Sequence, residues 1–204
     1  VHHLTDKPTL ILNILEEAKK VGNEDIVYIF GSTSKITFAG AGVAVMGGSR
    51  ANIDELKKYL GISIISYDKV NQLRHVRFFG TFENMCEHMK KHAAIIAPKF
   101  NIVIETLKNE LTPCGIGSWS EPQGGYFISF NSMNGCAKRI VSLCSEAGVT
   151  LTGAGATFPY GKDPDDKNIR LAPTYPSLDD LRKAAELFTV CVKLASAEKL
   201  LSEM

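Results

Sequence analysis

The residue types best suited to covalent chemistry lie together at Ser32-Thr33-Ser34-Lys35. A lysine amine attacks a carbonyl carbon only in its neutral form, so a lysine that forms a Schiff base needs partial desolvation. The hydroxyls of Ser32 and Ser34, with the backbone amides of Gly31 and of the Gly40-Ala41-Gly42 turn, are suited to receive a phosphate. The apolar run Ile26-Val27-Tyr28-Ile29-Phe30 upstream reads as a strand covered on both faces. That puts Lys35 at the carboxyl end of a buried parallel strand, where α/β sheets place their ligands. A solvated lysine in a polar turn is the competing reading.

Arg170 is the second candidate. It interrupts the apolar strand pattern Asn168-Ile169-Arg170-Leu171-Ala172, where a charge is costly unless paired. Its fork would grip a carboxylate in two parallel hydrogen bonds. An internal ion pair, or an outward position on an edge strand, explains it as well.

Other chemistries leave no signature. Gly40-Ala41-Gly42 lacks the third glycine of a dinucleotide fingerprint, Gly161-Lys162 is followed by Asp163 rather than a hydroxyl residue, and no G-x-S-x-G elbow occurs. His88 and His92 have i, i+4 spacing, but no Glu follows His88 and no third ligand is evident, so a solvated face and no metal are expected. The cysteines Cys86, Cys114, Cys136, Cys144 and Cys191 form no C-x-x-C pair, which predicts buried or half-buried free thiols in a reducing compartment.

The elements that must position these groups follow from periodicity. Leu10, Ile11, Ile14, Leu15 and Ala18 predict a helix over 8–20, stopped at Gly22-Asn23. Two buried strands, Ile26–Phe30 and Val43–Met46, flank the lysine turn, and Asn52-Ile53-Asp54-Glu55 reads as a capping box opening a helix to Leu60. Phe82, Met85, Met89, Ala93, Ile96, Phe100, Val103 and Leu107 form a long helical stripe that Pro98 should kink or break near Ala97. Beyond it come a strand over Gly124–Phe130, a helix over Cys136–Ala147, short strands at Val149–Leu151 and Asn168–Ala172, and a last helix capped by Ser177. The fold class is α/β: residues 1–78 read as parallel-sheet pieces at the end of a larger domain, and 79–204 as a self-contained α+β unit.

Composition is that of an ordinary globular chain, with 45% hydrophobic and 22% charged residues among 204. A formal net charge of +1 gives no bulk drive toward nucleic acid or anionic lipid. No apolar stretch is long enough to span a bilayer and no signal peptide opens the chain, so a soluble cytoplasmic protein is expected. The chain begins Val1-His2-His3 without an initiator Met, as a processed chain or a piece of something longer would.

Together these pieces resemble the fold-type I pyridoxal-phosphate enzymes, the aspartate aminotransferase superfamily. Ser32-Thr33-Ser34-Lys35 is similar to that family's lysine motif, Gly124-Gly125-Tyr126-Phe127 to the start of its small-domain sheet, and Asn168–Ala172 to its carboxylate-binding arginine strand. The runs Ser32–Val43, Asn71–Phe78 and Phe158–Pro164 resemble, in order and spacing, the bacterial type Ic aspartate aminotransferase branch.

The resemblance implies a cofactor, pyridoxal 5'-phosphate, held by Lys35, which would also move the substrate proton as base and acid. It implies phosphate contacts from Ser32 and Ser34 and a substrate α-carboxylate on Arg170. It puts Arg74 or Arg77 where relatives send residues to the partner subunit, either reading a side-chain carboxylate or building the dimer interface. Amino-acid and 2-oxo-acid substrates, a homodimer and the C-terminal end of the large domain plus a complete small domain are implied as well. Where most relatives carry a phosphate-binding arginine, this chain has Gly42. The family's pyridinium-pairing aspartate and its other cofactor contacts lie upstream of such a lysine, so the chain alone is expected to be inactive. The alternatives are the effector domain of an aminotransferase-like transcription regulator, a related lyase or decarboxylase, and a stand-alone folding or interaction module.

Overall fold

The computed structural model describes residues 11–204, and the opening of the first predicted helix lies outside them. The described residues divide into two compact units, one running to His92 and one from Ala93 to Met204.

In the first unit Asn13 caps α1 (Ile14–Lys20) by accepting from the Leu15 amide, so the helix starts later than its apolar pattern. Strands β1 (Tyr28–Ser32) and β2 (Ala44–Gly48) pair antiparallel, with Phe30 opposite Met46 and Ser32 opposite Ala44. This corrects the expected parallel arrangement. A continuous apolar run speaks to two covered faces, not to direction, and residues 33–43 contain only turns where a parallel return needs a crossover. Nor are both faces buried here: Phe30 is 73% exposed and Val45 65%.

Helix α2 (Arg50–Ser63) begins at Ser49, whose hydroxyl accepts from the Asn52 amide. The box expected at Asn52 is therefore displaced by one turn, and Asn52 instead donates its side-chain amide to the Asp25 carbonyl. Helix α3 (Lys69–Phe79) is capped by Asp68 and ended by Gly80 at φ 68°, a left-handed conformation that glycine tolerates.

Helix α4 (Phe82–Leu111) contains the boundary between the units and runs through Pro98, so of the kink or break expected near Ala97 the break does not occur. Pro98 removes the hydrogen bond to the Ala94 carbonyl. Both residues are exposed, so water can satisfy that carbonyl, while Ile96 and Phe100 keep the stripe buried on the other side.

The second unit carries a three-stranded antiparallel sheet in the order β3–β4–β5: Gly117–Trp119, Ile128–Ser132 and Asn168–Leu171. The predicted strand at Val149–Leu151 does not form, and residues 124–127 enter β4 as turns. Helices α5 (Ala137–Glu146) and α6 (Leu178–Ser202) complete the unit, α6 starting where Ser177 was expected to cap it. The core joins Leu107 and Leu111 of α4, Ile128 and Phe130 of β4, Ile169 of β5, Ile140 of α5 and Val192 of α6. Of the cysteines, three are buried and Cys86 half-buried, whereas Cys114 is exposed, unlike the expectation for it. Among the described residues no helix is long and apolar enough to cross a membrane.

Candidate active site

Lys35 stands in the turn directly after β1, exposed, as the strand-then-polar-turn pattern anticipates. Beside it the hydroxyls of Ser32 and Ser34 lie 2.5 Å apart, and the Ser34 amide donates to Ser32 Oγ at 3.0 Å. Gly42 packs edge-on against this pair. A Cβ built there would meet the Ser34 amide nitrogen and Cα at 2.9 Å. The bare glycine lets the second half of the turn close over the first.

The turn is fixed from behind by residues to which the sequence reading gave no such role. His75 of α3 is buried, and its Nε2 lies 3.0 Å from the hydroxyls of both Thr33 and Thr37. Its Nδ1 is 2.9 Å from the Asn71 carbonyl, which only accepts, so Nδ1 carries the proton. Asn71 Nδ2 donates to the Ala41 carbonyl at 2.8 Å, and His88 Nε2 donates to the Ile36 carbonyl at 2.7 Å. His88 is thus half-buried and bonded rather than on the solvated face expected of it, and its ring lies 4.5 Å from that of His92. Burial, with the neighbouring His88, holds the His92 imidazole below its usual range. No group of three metal-ligating side chains occurs among the described residues.

Arg74 is exposed on α3, its guanidinium carbon 5.6 Å from the centre of the Phe38 ring. Phe38 follows Lys35 in the same turn, so Arg74 adjoins the lysine segment through an aromatic ring. Arg77 is exposed on the same helix.

Arg170 belongs to the second unit. Pairing of β4 with β5 puts Ile169 opposite Phe130 and Arg170 opposite Ser129. Strand alternation therefore sends Arg170 to the face away from the core, on the edge strand of the sheet. Its guanidinium carbon lies 4.5 Å from the Phe127 ring centre, and the hydrogen bond from Nη2 to Thr152 Oγ1 is long at 3.5 Å. Nε is buried without a hydrogen-bond partner, and Arg170 makes no ion pair among the described residues.

The strand end beneath it is firmly held. Asn168 is buried and donates to Ser129 Oγ, Asn131 Oδ1 and the Phe130 carbonyl, while Thr157 donates to Asn168 Oδ1 at 2.6 Å. Asp163 accepts from the amides of Lys167 and Asn168 at 2.8 Å each and of Asp165 at 3.1 Å. Partial desolvation raises the Asp163 carboxyl, but these three amides and the Lys167 charge outweigh it and hold the group below its ordinary range.

The structure thus brings Ser32, Ser34 and Lys35 together, with Arg74 adjoining through Phe38, and places Arg170 in the other unit. Sequence reasoning missed Thr33, Thr37, His75 and His88 as supports of the turn. The signals for them were that Thr33 and Thr37 lie in the Ser32–Val43 run, His75 in the Asn71–Phe78 run, and His88 in an i, i+4 pair with His92.

Comparison with known proteins matches residues 1–204 to a family model described as aspartate amino-transferase. A curated protein of Mycolicibacterium smegmatis, named provisionally as an aminotransferase, is 48% identical over 203 residues, 100% of this chain and 47% of its own length. The aspartate aminotransferase of Corynebacterium glutamicum is 44% identical over 198 residues, 97% of this chain and 46% of its own. The chain spans about half the length of the curated relatives it matches. The crystal structure of an aspartate transaminase from Corynebacterium glutamicum superposes with a TM-score of 0.92 at 44% identity, covering 98% of this chain and 47% of that one. At 17% identity an α-aminoadipate aminotransferase from Thermus thermophilus, complexed with N-(5'-phosphopyridoxyl)-L-leucine, shares the fold with a TM-score of 0.76.

Proposed function

Because the chain belongs to the aspartate amino-transferase family, we propose that it is the carboxyl-terminal part of a pyridoxal-phosphate aminotransferase that exchanges amino groups between aspartate and 2-oxoglutarate. Residues 1–78 would end the cofactor-binding domain and 79–204 form the small domain, in a cytoplasmic homodimer. The observation that carries the reading is the Lys35 turn, where an amine, two adjacent hydroxyls and a backbone free of side chain at Gly42 lie within one segment.

These residues fit the cofactor. Ser32 and Ser34 would hold its phosphate, as hydroxyl pairs with neighbouring amides do. When bound, pyridoxal phosphate supplies the electron sink that makes an amino acid's Cα–H bond acidic. Lys35 Nζ would hold the cofactor and, once released from it, take up the substrate Cα proton as a base and give it back as an acid. Arg170 would fix the substrate α-carboxylate through guanidinium nitrogens that make no ion pair among the described residues. Phe127 under the guanidinium restricts its tilt and so the orientation of whatever it binds. Arg74 would read a side-chain carboxylate.

The exposure of Lys35 supports a further point. A carbonyl-reactive lysine must be partly desolvated, and Lys35 is exposed among the described residues, so no turnover is expected from this chain alone.

The test is a coupled assay of the full-length protein with aspartate and 2-oxoglutarate. The reading expects turnover in the wild type and a loss of at least about a thousandfold in kcat for Lys35→Ala. Equal turnover in both would overturn it.

A further inference from the structure

We propose that His75 is a positioning residue for Lys35, resting on the assignment of Lys35 as the reactive amine. The geometry is symmetrical about the lysine: Thr33 lies two residues before it, Thr37 two after, and one ring nitrogen of His75 stands 3.0 Å from both hydroxyls. Thr33 Oγ1 accepts from the Val43 amide at 2.9 Å, so its own proton is available to Nε2. Thr37 Oγ1 donates its only proton to the Thr33 carbonyl at 2.9 Å, closing the segment on itself, so Nε2 takes its hydrogen bond from Thr33 and meets Thr37 Oγ1 as a packing contact. The five residues from Thr33 to Thr37 are therefore a small ring with Lys35 at its outer tip and the imidazole at its base.

The base is rigid. His75 is 7% exposed, sits mid-helix, and has its tautomer and ring orientation set by the Asn71 carbonyl. Phe38 packs edge-on against the imidazole with centroids 5.7 Å apart, and His88 holds the Ile36 carbonyl from another helix. A catalytic lysine on an exposed turn loses effectiveness steeply with displacement of about an ångström. The turn's own backbone bonds, from the Thr33 amide to the Val43 carbonyl and from the Ile36 and Thr37 amides to the Thr33 carbonyl, close it on itself, and α3 adds the side-chain anchor that ties it to a helix. His75 touches neither cofactor nor substrate in this account; it acts through the turn.

The experiment uses the full-length protein, first without cofactor. Amide hydrogen exchange is compared among wild type, His75→Ala, His75→Gln and Thr37→Val. Residues 33–43 are expected to exchange about tenfold faster in His75→Ala and Thr37→Val, with α4 and α6 unchanged. His75→Gln, which keeps a polar group near the Nε2 position, should recover part of the protection. With cofactor, the same two variants should lower kcat about tenfold at unchanged KM and shift the pH at which the Lys35-bound cofactor's absorbance changes. Exchange over 33–43 that stays at the wild-type rate in both variants, or rises equally throughout the chain, overturns the proposal, as does His75→Gln behaving like His75→Ala. If wild-type protein takes no cofactor on Lys35, the functional reading fails while the exchange arm still decides the role of His75.

Discussion

Gly42 lies directly against the backbone of Ser34: a methyl group at position 42 would meet the Ser34 amide nitrogen and Cα at 2.9 Å. The two residues sit at opposite ends of the lysine turn, and their contact sets where the Ser32 and Ser34 hydroxyls point.

Gly42→Ala should therefore displace Ser34 rather than fill a space. Overpacking of this kind costs about 1–3 kcal/mol, which corresponds to roughly five- to a hundredfold in affinity for pyridoxal phosphate. Gly42→Arg, which installs the residue most relatives carry nearby, should weaken binding at least as much. Equilibrium titration of the full-length variants measures both; tighter binding by the arginine variant would refute the steric account.

Arg170→Lys should fail as a conservative change. Lysine keeps the charge but loses the planar fork and the stacking on Phe127. KM for the amino acid is expected to rise about ten- to a hundredfold, since hydrogen bonds to charged groups contribute about 1.5–3 kcal/mol. Steady-state kinetics at varied amino acid would show it, and an unchanged KM would remove Arg170 from carboxylate binding.

Asp163 gives the strand beneath Arg170 a pH dependence. Its carboxyl titrates lower when folded than when unfolded, so the unfolded chain binds the extra proton first. The stabilisation is complete above the ordinary carboxylate value of about 3.9 and is lost as pH falls through the lower folded value. Asp163→Asn should be less stable than wild type at pH 7, and the difference should shrink on acidification. Thermal unfolding from neutral to acid pH tests this; a constant gap would contradict it.

Much of the site was legible because its chemistry is local. Ser32, Ser34 and Lys35 are close in space because they are close in sequence, and the Ile169-Arg170-Leu171 pattern marks a strand whose alternation sends the half-buried arginine to the face away from the core. The long helices were legible from their stripes and from Ser177. The direction of β2 was not, because apolar runs encode burial and the turn-only link decides polarity. Nor was the role of His75: Thr33 and His75 are 42 positions apart, and no short-range pattern encodes such a contact. Pro98 does not end α4 because its exposed position lets water replace the missing helix bond.

The central claim, that Lys35 is the cofactor-bearing amine, is tested most directly by reducing the full-length protein with borohydride in the presence of pyridoxal phosphate and mapping the peptides by mass spectrometry. The account predicts one phosphopyridoxyl group per chain, on the peptide containing Lys35. Label on another lysine, or spread thinly over many, would contradict it.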